Sequence, residues 1–185
     1  MTVERSAAQA FDWSLSMSVT SVLPSPAAAS TPRCPVAAVE GPHLIVGGWV
    51  RQPLRLDAAA LQARDPQPVD FQVLCTFDGA HGDVMQLQAV PLAPLIDEAL
   101  PAFEHRTDFK RVAIVAESAE GYRALFSWNE LFNSSVGAGV MVAFAPPGVR
   151  GDAHRGDFAL ISRHDVYTGP RYVRQLAFVE LVKLW

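Results

Sequence analysis

The alternation of apolar and polar positions changes character near His43. Ahead of it, residues 1–38 carry Ser, Ala and Pro in no helical or alternating order, and Pro24, Pro26, Pro32 and Pro35 are spaced to stop any regular element. Beyond it, short apolar runs recur between turn signals. The chain therefore divides into an irregular leader, 1–38, and a folded domain, 39–185.

Within the domain, HLIVGGWV (43–50) reads as a strand, with Gly47-Gly48 marking a bulge or a close backbone approach. Pro53 breaks it, and Asp57 is placed to cap a short helix from Ala58 to Ala63. VDFQVLC (69–75) is a strand, and FDGAHGD (77–83) is turn chemistry. Pro91 or Pro94 opens a helix with Leu92, Leu95, Ile96 and Leu100 on one face. RVAIVA (111–116) reads as a strand buried on both sides, and Glu120-Gly121 turns into the strand YRALF. Ser127 and Glu130 have capping-box spacing for a helix through Phe132. GVMVAFA (139–145) and FALIS (158–162) are strands on either side of a Gly- and charge-rich loop. The closing YVRQLAFVELVKLW fits helix or strand, and its Val and aromatic content favours the strand.

Strands dominate, joined by short helices with no strict βαβ alternation, which predicts an α+β, mostly β fold rather than a doubly wound sheet. No Walker loop is present, and Gly137-Ala138-Gly139 lacks the third glycine of a dinucleotide fingerprint.

Of the 185 residues, 50% are hydrophobic and 18% charged, so the domain has enough apolar surface for a core without disulfides or metal. A net charge of −4 excludes nucleic acid as a partner class. Basic residues gather late, at Arg150, Arg155, Arg163, Arg171, Arg174 and Lys183, either as a solvated face or as the seat of one small anion. Cys34 and Cys75 make no disulfide framework: Cys34 lies among leader prolines, and Cys75 ends an apolar run where a packed thiol is the default. No apolar stretch is long enough for a transmembrane helix. Residues 13–23 precede Ala27-Ala28-Ala29 in the manner of a secretory signal, but Arg5 is balanced by Glu4 and Asp12, and the apolar run is diluted by serines. The cytoplasm is the expected compartment and the periplasm the alternative.

Several polar constellations carry less. His81 near Asp78 and Asp83 matches no established ligand spacing, and His154 and His164 with Asp152, Asp157 and Asp165 read as a solvated loop or the flank of an oxyanion pocket. Ser134-Ser135 lacks the Gly-x-Ser-x-Gly frame of a nucleophile elbow. Trp49, Trp128 and Trp185 read as packing residues.

From about residue 43 onward six segments occur in a recognisable order. They are GGWVRQPLRLDAAAL, Cys75 followed by LQAVPL (87–92) and a Leu-rich helix, Glu120-Gly121-Tyr122 before RALFSWNEL, VAFAPPG (142–148), Gly156-Asp157-Phe158-Ala159-Leu160, and Gly169-Pro170-Arg171-Tyr172-Val173-Arg174. In this order the chain resembles the molybdopterin-binding domain of the sulfite oxidase superfamily. The resemblance implies a mostly β, α+β fold and a cysteine thiolate, at Cys75, that ligates molybdenum. It implies a molybdopterin cofactor held by Cys75, Tyr122, His154, Arg155, Gly169, Arg171 and Arg174. Arg171 and Arg174 would fall on different strand faces, leaving one of them to point at a ligand. The implied activity is oxidation or reduction of a small sulfur or nitrogen oxyanion or oxide, with an external redox partner or a larger complex engaged through the leader. Leu87, Ala89 and Ala159 replace the family's Trp, Gly and Arg, and nothing in residues 1–42 matches its pterin-gripping segment. These departures give the alternative expectation, a catalytically inactive descendant that binds a small anion or serves as an accessory subunit.

Overall fold

Among the described residues, nine strands and three short α-helices follow one another in an order set by local signals that the sequence displays. The computed structural model describes residues 41–149, 151 and 155–185, which lie in one compact unit, Val39–Trp185. Expectations placed on residues 1–38, Cys34, Arg150, Asp152 and His154 fall outside the described residues. The strands are β1 (Leu44–Gly48), β2 (Leu54–Leu56), β3 (Gln67–Cys75), β4 (Gly79–Pro91), β5 (Val112–Ser118), β6 (Arg123–Ser127), β7 (Val140–Phe144), β8 (Phe158–Ser162) and β9 (Leu176–Lys183). The helices are α1 (Ala58–Gln62), α2 (Leu92–Glu98) and α3 (Trp128–Phe132). No described helix is long and apolar enough to cross a membrane.

The strands form two sheets, one ordered β2-β1-β9-β5-β6 and one ordered β3-β4-β7-β8. The second is antiparallel throughout, whereas β1 runs parallel to β9 in the first. The result is a strand-rich α+β fold. Its main core contains Leu44 and Val46 of β1, Ile114 of β5, Phe126 of β6, Leu181 of β9, and Val142 and Leu160 from the second sheet. Leu61, Leu92, Leu95, Ile96 and Leu131 add the buried faces of the three helices. A smaller apolar cluster covers the other face of the second sheet, where Val69, Phe71, Leu87, Ala89, Met141, Ala143 and Ile161 pack together.

Local chemistry accounts for the boundaries. Asp57 accepts a 2.7 Å hydrogen bond from the Ala60 amide and starts α1. The Ser127 hydroxyl accepts from the Glu130 amide while the Glu130 carboxylate accepts from the Ser127 amide, so both halves of the capping box form. Gly48 has φ +84°, and a Cβ there would lie 2.3 Å from the Leu181 carbonyl oxygen. The close backbone approach expected of the Gly47-Gly48 pair thus belongs to Gly48, where β1 meets β9.

Two expectations need correction. The stretch 77–83 is not a loop: the turn is confined to Thr76–Asp78, and Gly79–Asp83 already belong to the 13-residue strand β4. Alternation was present in Met85-Gln86-Leu87-Gln88-Ala89, but the glycines and aspartates before it favour turns and conceal where the strand begins. Leu100 does not join the α2 face; α2 stops at Glu98 and Leu100 adopts φ +55° with half its surface exposed.

A single substitution tests how α3 is started. Ser127→Ala should lower the unfolding free energy by about 1 kcal/mol in a urea titration, and an unchanged midpoint would mean the capping box contributes nothing to α3.

The Cys75 pole as candidate functional site

Cys75 is the last residue of β3 and, as a residue, is half-buried. Strand alternation places it on the same face as Phe71 and Val73. That face is covered by the segment 168–172. Phe71 packs on Tyr172 with ring centroids 5.2 Å apart. A Cβ built on Gly169 would stand 3.0 Å from the Cys75 sulfur, 3.0 Å from the Leu74 carbonyl oxygen and 3.4 Å from a Val73 methyl. Only a residue without a side chain brings the main chain this close to the thiol.

The segment is pinned to β3 by its buried neighbour. Thr168 Oγ1 donates to the Gln72 carbonyl oxygen (2.6 Å) and accepts from the Leu74 amide (2.8 Å). These are outward-facing groups of an edge strand, so one hydroxyl satisfies two backbone groups and closes the edge to further pairing. From the other sheet, the Tyr122 hydroxyl donates to the Pro170 carbonyl oxygen at 2.6 Å. Gly169–Arg171 form a single 3-10 turn between these anchors.

Arg171 closes that turn and spends its guanidinium internally. It forms a bidentate pair with Asp165, the Nε donating to one carboxylate oxygen at 2.7 Å and Nη2 to the other. Its Nη1 donates to Glu130 Oε1 at 3.0 Å, and the group lies over the Phe126 ring, 4.4 Å from the centroid. The hydrogen bonds to Asp165 hold the Arg171 pKa above its already high ordinary value. Glu130 is held below the usual glutamate range, first by the Ser127 amide and then by the Ser127 hydroxyl and Arg171, against the opposing effect of desolvation.

The structure therefore brings Cys75, Tyr122, Gly169 and Arg171 together and leaves other expected residues elsewhere. Arg155 borders a cavity with Pro68, Val69 and Asp70, at the opposite end of β3. Five residues of extended strand separate Asp70 from Cys75, about 16 Å. Arg174 is exposed and precedes β9. The expectation that Arg171 and Arg174 present opposite faces of one strand does not hold, because the first sits in a 3-10 turn and neither lies within β9. His81 faces Asp78 at 3.6 Å on the surface, and His164 meets the Ser135 carbonyl oxygen at 2.8 Å. Among the described residues no three His, Cys, Asp or Glu side chains are grouped to hold a metal ion. Trp49 and Trp128 both pack edge-on or tilted against Phe103, while Trp185 is exposed.

Sequence reasoning missed Thr168, the pairing of Asp165 with Arg171 and the double role of Glu130. Only Glu130 carried a readable signal, its capping-box spacing. The contacts of Thr168 to β3 span 94 and 96 residues and leave no local trace.

The described residues form a two-sheet, strand-rich α+β domain with the half-buried Cys75 at the end of a strand. The chain is similar in structure to the crystallised sulfane dehydrogenase SoxCD from Paracoccus pantotrophus, with a TM-score of 0.54 and 18% identity. The match covers 76% of this chain and 38% of that one, so the chain spans little more than a third of its neighbour's length. The likeness establishes the fold they share. No protein-family model and no curated protein matches the chain.

A molybdopterin makes two demands on such a site, a soft anionic ligand for the metal and donors for an anionic pterin. Cys75 is a ligand of the right chemical type for the first, but the Gly169 turn packs so closely on its sulfur that even a Cβ would stand only 3.0 Å away, so that flank holds no room for a metal. The second is not met by Arg171, whose donors are occupied by two carboxylates. The residues around Cys75 as they stand therefore offer the ligand type without the space or the anion donors of a cofactor site.

Two measurements follow. Gly169→Ala forces a Cβ against the Cys75 sulfur and the Leu74 carbonyl, so it should destabilise by about 1–3 kcal/mol and alter the rate at which a disulfide reagent modifies Cys75. No change in either would mean the turn does not pack on the thiol. The depressed Glu130 pKa adds stability that is complete above the unfolded value of 4.5 and is lost as pH falls through the lower folded value. The urea midpoint should therefore drop below about pH 4.5, and Glu130→Gln should flatten part of that slope, with Glu98 and Asp108 supplying the remainder in the same direction.

Proposed function

We propose that this domain is a molybdopterin-dependent, oxidoreductase-like protein of the sulfite oxidase type, acting on a small sulfur or nitrogen oxyanion or oxide. The observation that supports the reading is the half-buried Cys75 at the end of β3, in a domain whose fold is similar to that of sulfane dehydrogenase SoxCD. A molybdenum centre, when bound, supplies two-electron redox chemistry at an oxygen or sulfur atom. The chain's own contribution is to hold and orient. Cys75 would be the thiolate ligand, Thr168 and Tyr122 fix the turn opposite it, and exposed Arg174 remains as a cation for an anionic group. Electrons would pass to an external redox partner.

The saturation of Arg171 by Asp165 and Glu130 favours a second reading. In it the fold is retained by a descendant without turnover, serving as an accessory subunit or binding a small anion.

One experiment separates the two. Protein from a molybdenum-replete host, handled anaerobically, should contain molybdenum and release a fluorescent pterin on denaturation, and Cys75→Ser should lose at least about 90% of the metal, as expected for removal of a thiolate ligand. Wild-type protein lacking both metal and pterin sinks the redox reading and leaves the second. Metal retained in full by the serine variant removes Cys75 from the site.

A further inference from the structure

At the end of β3 remote from Cys75, Arg155 is a cationic donor with no counter-group among the described residues. Arg155 Nη1 is buried and makes no hydrogen bond. A buried N–H left unpaired loses its hydration with nothing in return, and native structures rarely keep such a group without a reason. Nη1 is itself closed to solvent, so a ligand in the cavity would meet the rest of the guanidinium, which has no hydrogen-bond or ion-pair partner among the described residues and whose planar fork suits an oxyanion.

The surroundings narrow the ligand further. Arg155 borders an open cavity of about 580 Å³ whose wall includes Asp70, Gln86, Gln88, Phe144 and Pro146. Strand register explains why these groups converge. Pro68 pairs with Gln88 and Gln88 with Phe144, while Asp70 pairs with Gln86, so their side chains rise from one face of β3, β4 and β7. Further along this face lie the buried apolar residues Val90 and Val142, and the polar row stands where that core opens to solvent. Gln86 and Gln88 each offer an amide donor and an acceptor. No described residue forms an ion pair with the Asp70 carboxylate, which is exposed on the cavity wall together with Arg155. A simple anion would be repelled by that carboxylate, whereas a molecule with a positive group at its other end would be drawn to it.

We infer that this cavity binds a small zwitterion, its oxyanion held by Arg155 with the glutamine amides and its ammonium end held by Asp70. The site is separate from the Cys75 pole and does not rest on the redox reading, because neither the thiol nor any group contacting it borders this cavity.

Isotope-labelled full-length protein titrated with glycine, acetate and methylammonium tests the assignment by NMR. Glycine and acetate should shift the side-chain amide signals of Gln86 and Gln88, and glycine should bind about two- to fivefold tighter for the added exposed ion pair. Arg155→Gln should abolish both responses. Asp70→Asn should strengthen acetate binding by removing a like charge and erase the advantage of glycine. Should Arg155→Gln not fold, Arg155→Lys retains the charge without the fork and should weaken acetate binding severalfold. The site is overturned if neither glycine nor acetate perturbs those amides, or if the Arg155 variants bind as the parent does. Glycine binding no tighter than acetate overturns the zwitterion assignment.

Discussion

The two oxygens of the Glu130 carboxylate face different tasks, and the candidate site depends on that division. Oε2 accepts from the Ser127 amide and completes the N-terminal cap of α3, while Oε1 accepts from Arg171 in the turn beneath Cys75. A helix start in one part of the sequence is thereby tied to a turn 41 residues later. Asp165 takes the remaining side of the same guanidinium, and Phe126 supplies the surface on which it rests. Arg171 is only 21% exposed and Asp165 10%, so loss of one partner would leave a half-buried charge, costing up to about 3 kcal/mol. The turn is thus fixed by electrostatics on one flank and by the Thr168 hydroxyl on the other.

That arrangement limits the chemistry at Cys75. An arginine already held by two carboxylates presents no net positive charge to an incoming anion, whatever its place in sequence. What remains at the thiol is the bare main chain of Gly169, packed closely enough that a side chain there would collide with the sulfur. A metal ligated by Cys75 would have to approach from another side or displace this turn. Arg155 lies at the opposite end of β3, beside Asp70, and Arg174 is exposed before β9, so neither makes up for Arg171 at the thiol.

Much of the fold was legible because its signals are local. Asp57 and the Ser127/Glu130 pair announced two helices, the short apolar runs announced β1, β3, β5, β7 and β8, and Val with aromatics decided for strand in β9. β4 was hidden because Gly79, Gly82 and Asp83 are turn residues by propensity, yet are held extended by pairing with β3. At the site, Cys75 and Gly169 could be singled out from ordered segments, but their proximity could not. Nor could the partners of Arg171 be read, since a lone arginine between glycine and tyrosine looks the same whether it faces an anion or a pair of carboxylates. Thr168, whose partners lie across the fold, left no mark on composition or period.

The facing of Cys75 follows from where the sheet absorbs its irregularity. Between the pairs Phe71–Met85 and Val73–His81, β3 advances two residues and β4 four, so the extra residues lie in β4 around Gly82. Gly82 has φ +68°, and its carbonyl oxygen accepts from the Gln72 side chain, which ties the excursion to the neighbouring strand. β3 keeps unbroken alternation as a result, and Phe71, Val73 and Cys75 share one face. Had one extra residue fallen in β3 instead, the thiol would have turned to the opposite side, away from Gly169. A sequence irregularity placed in the partner strand is therefore what leaves the thiol beneath the glycine turn, and the chemistry proposed for it depends on that placement.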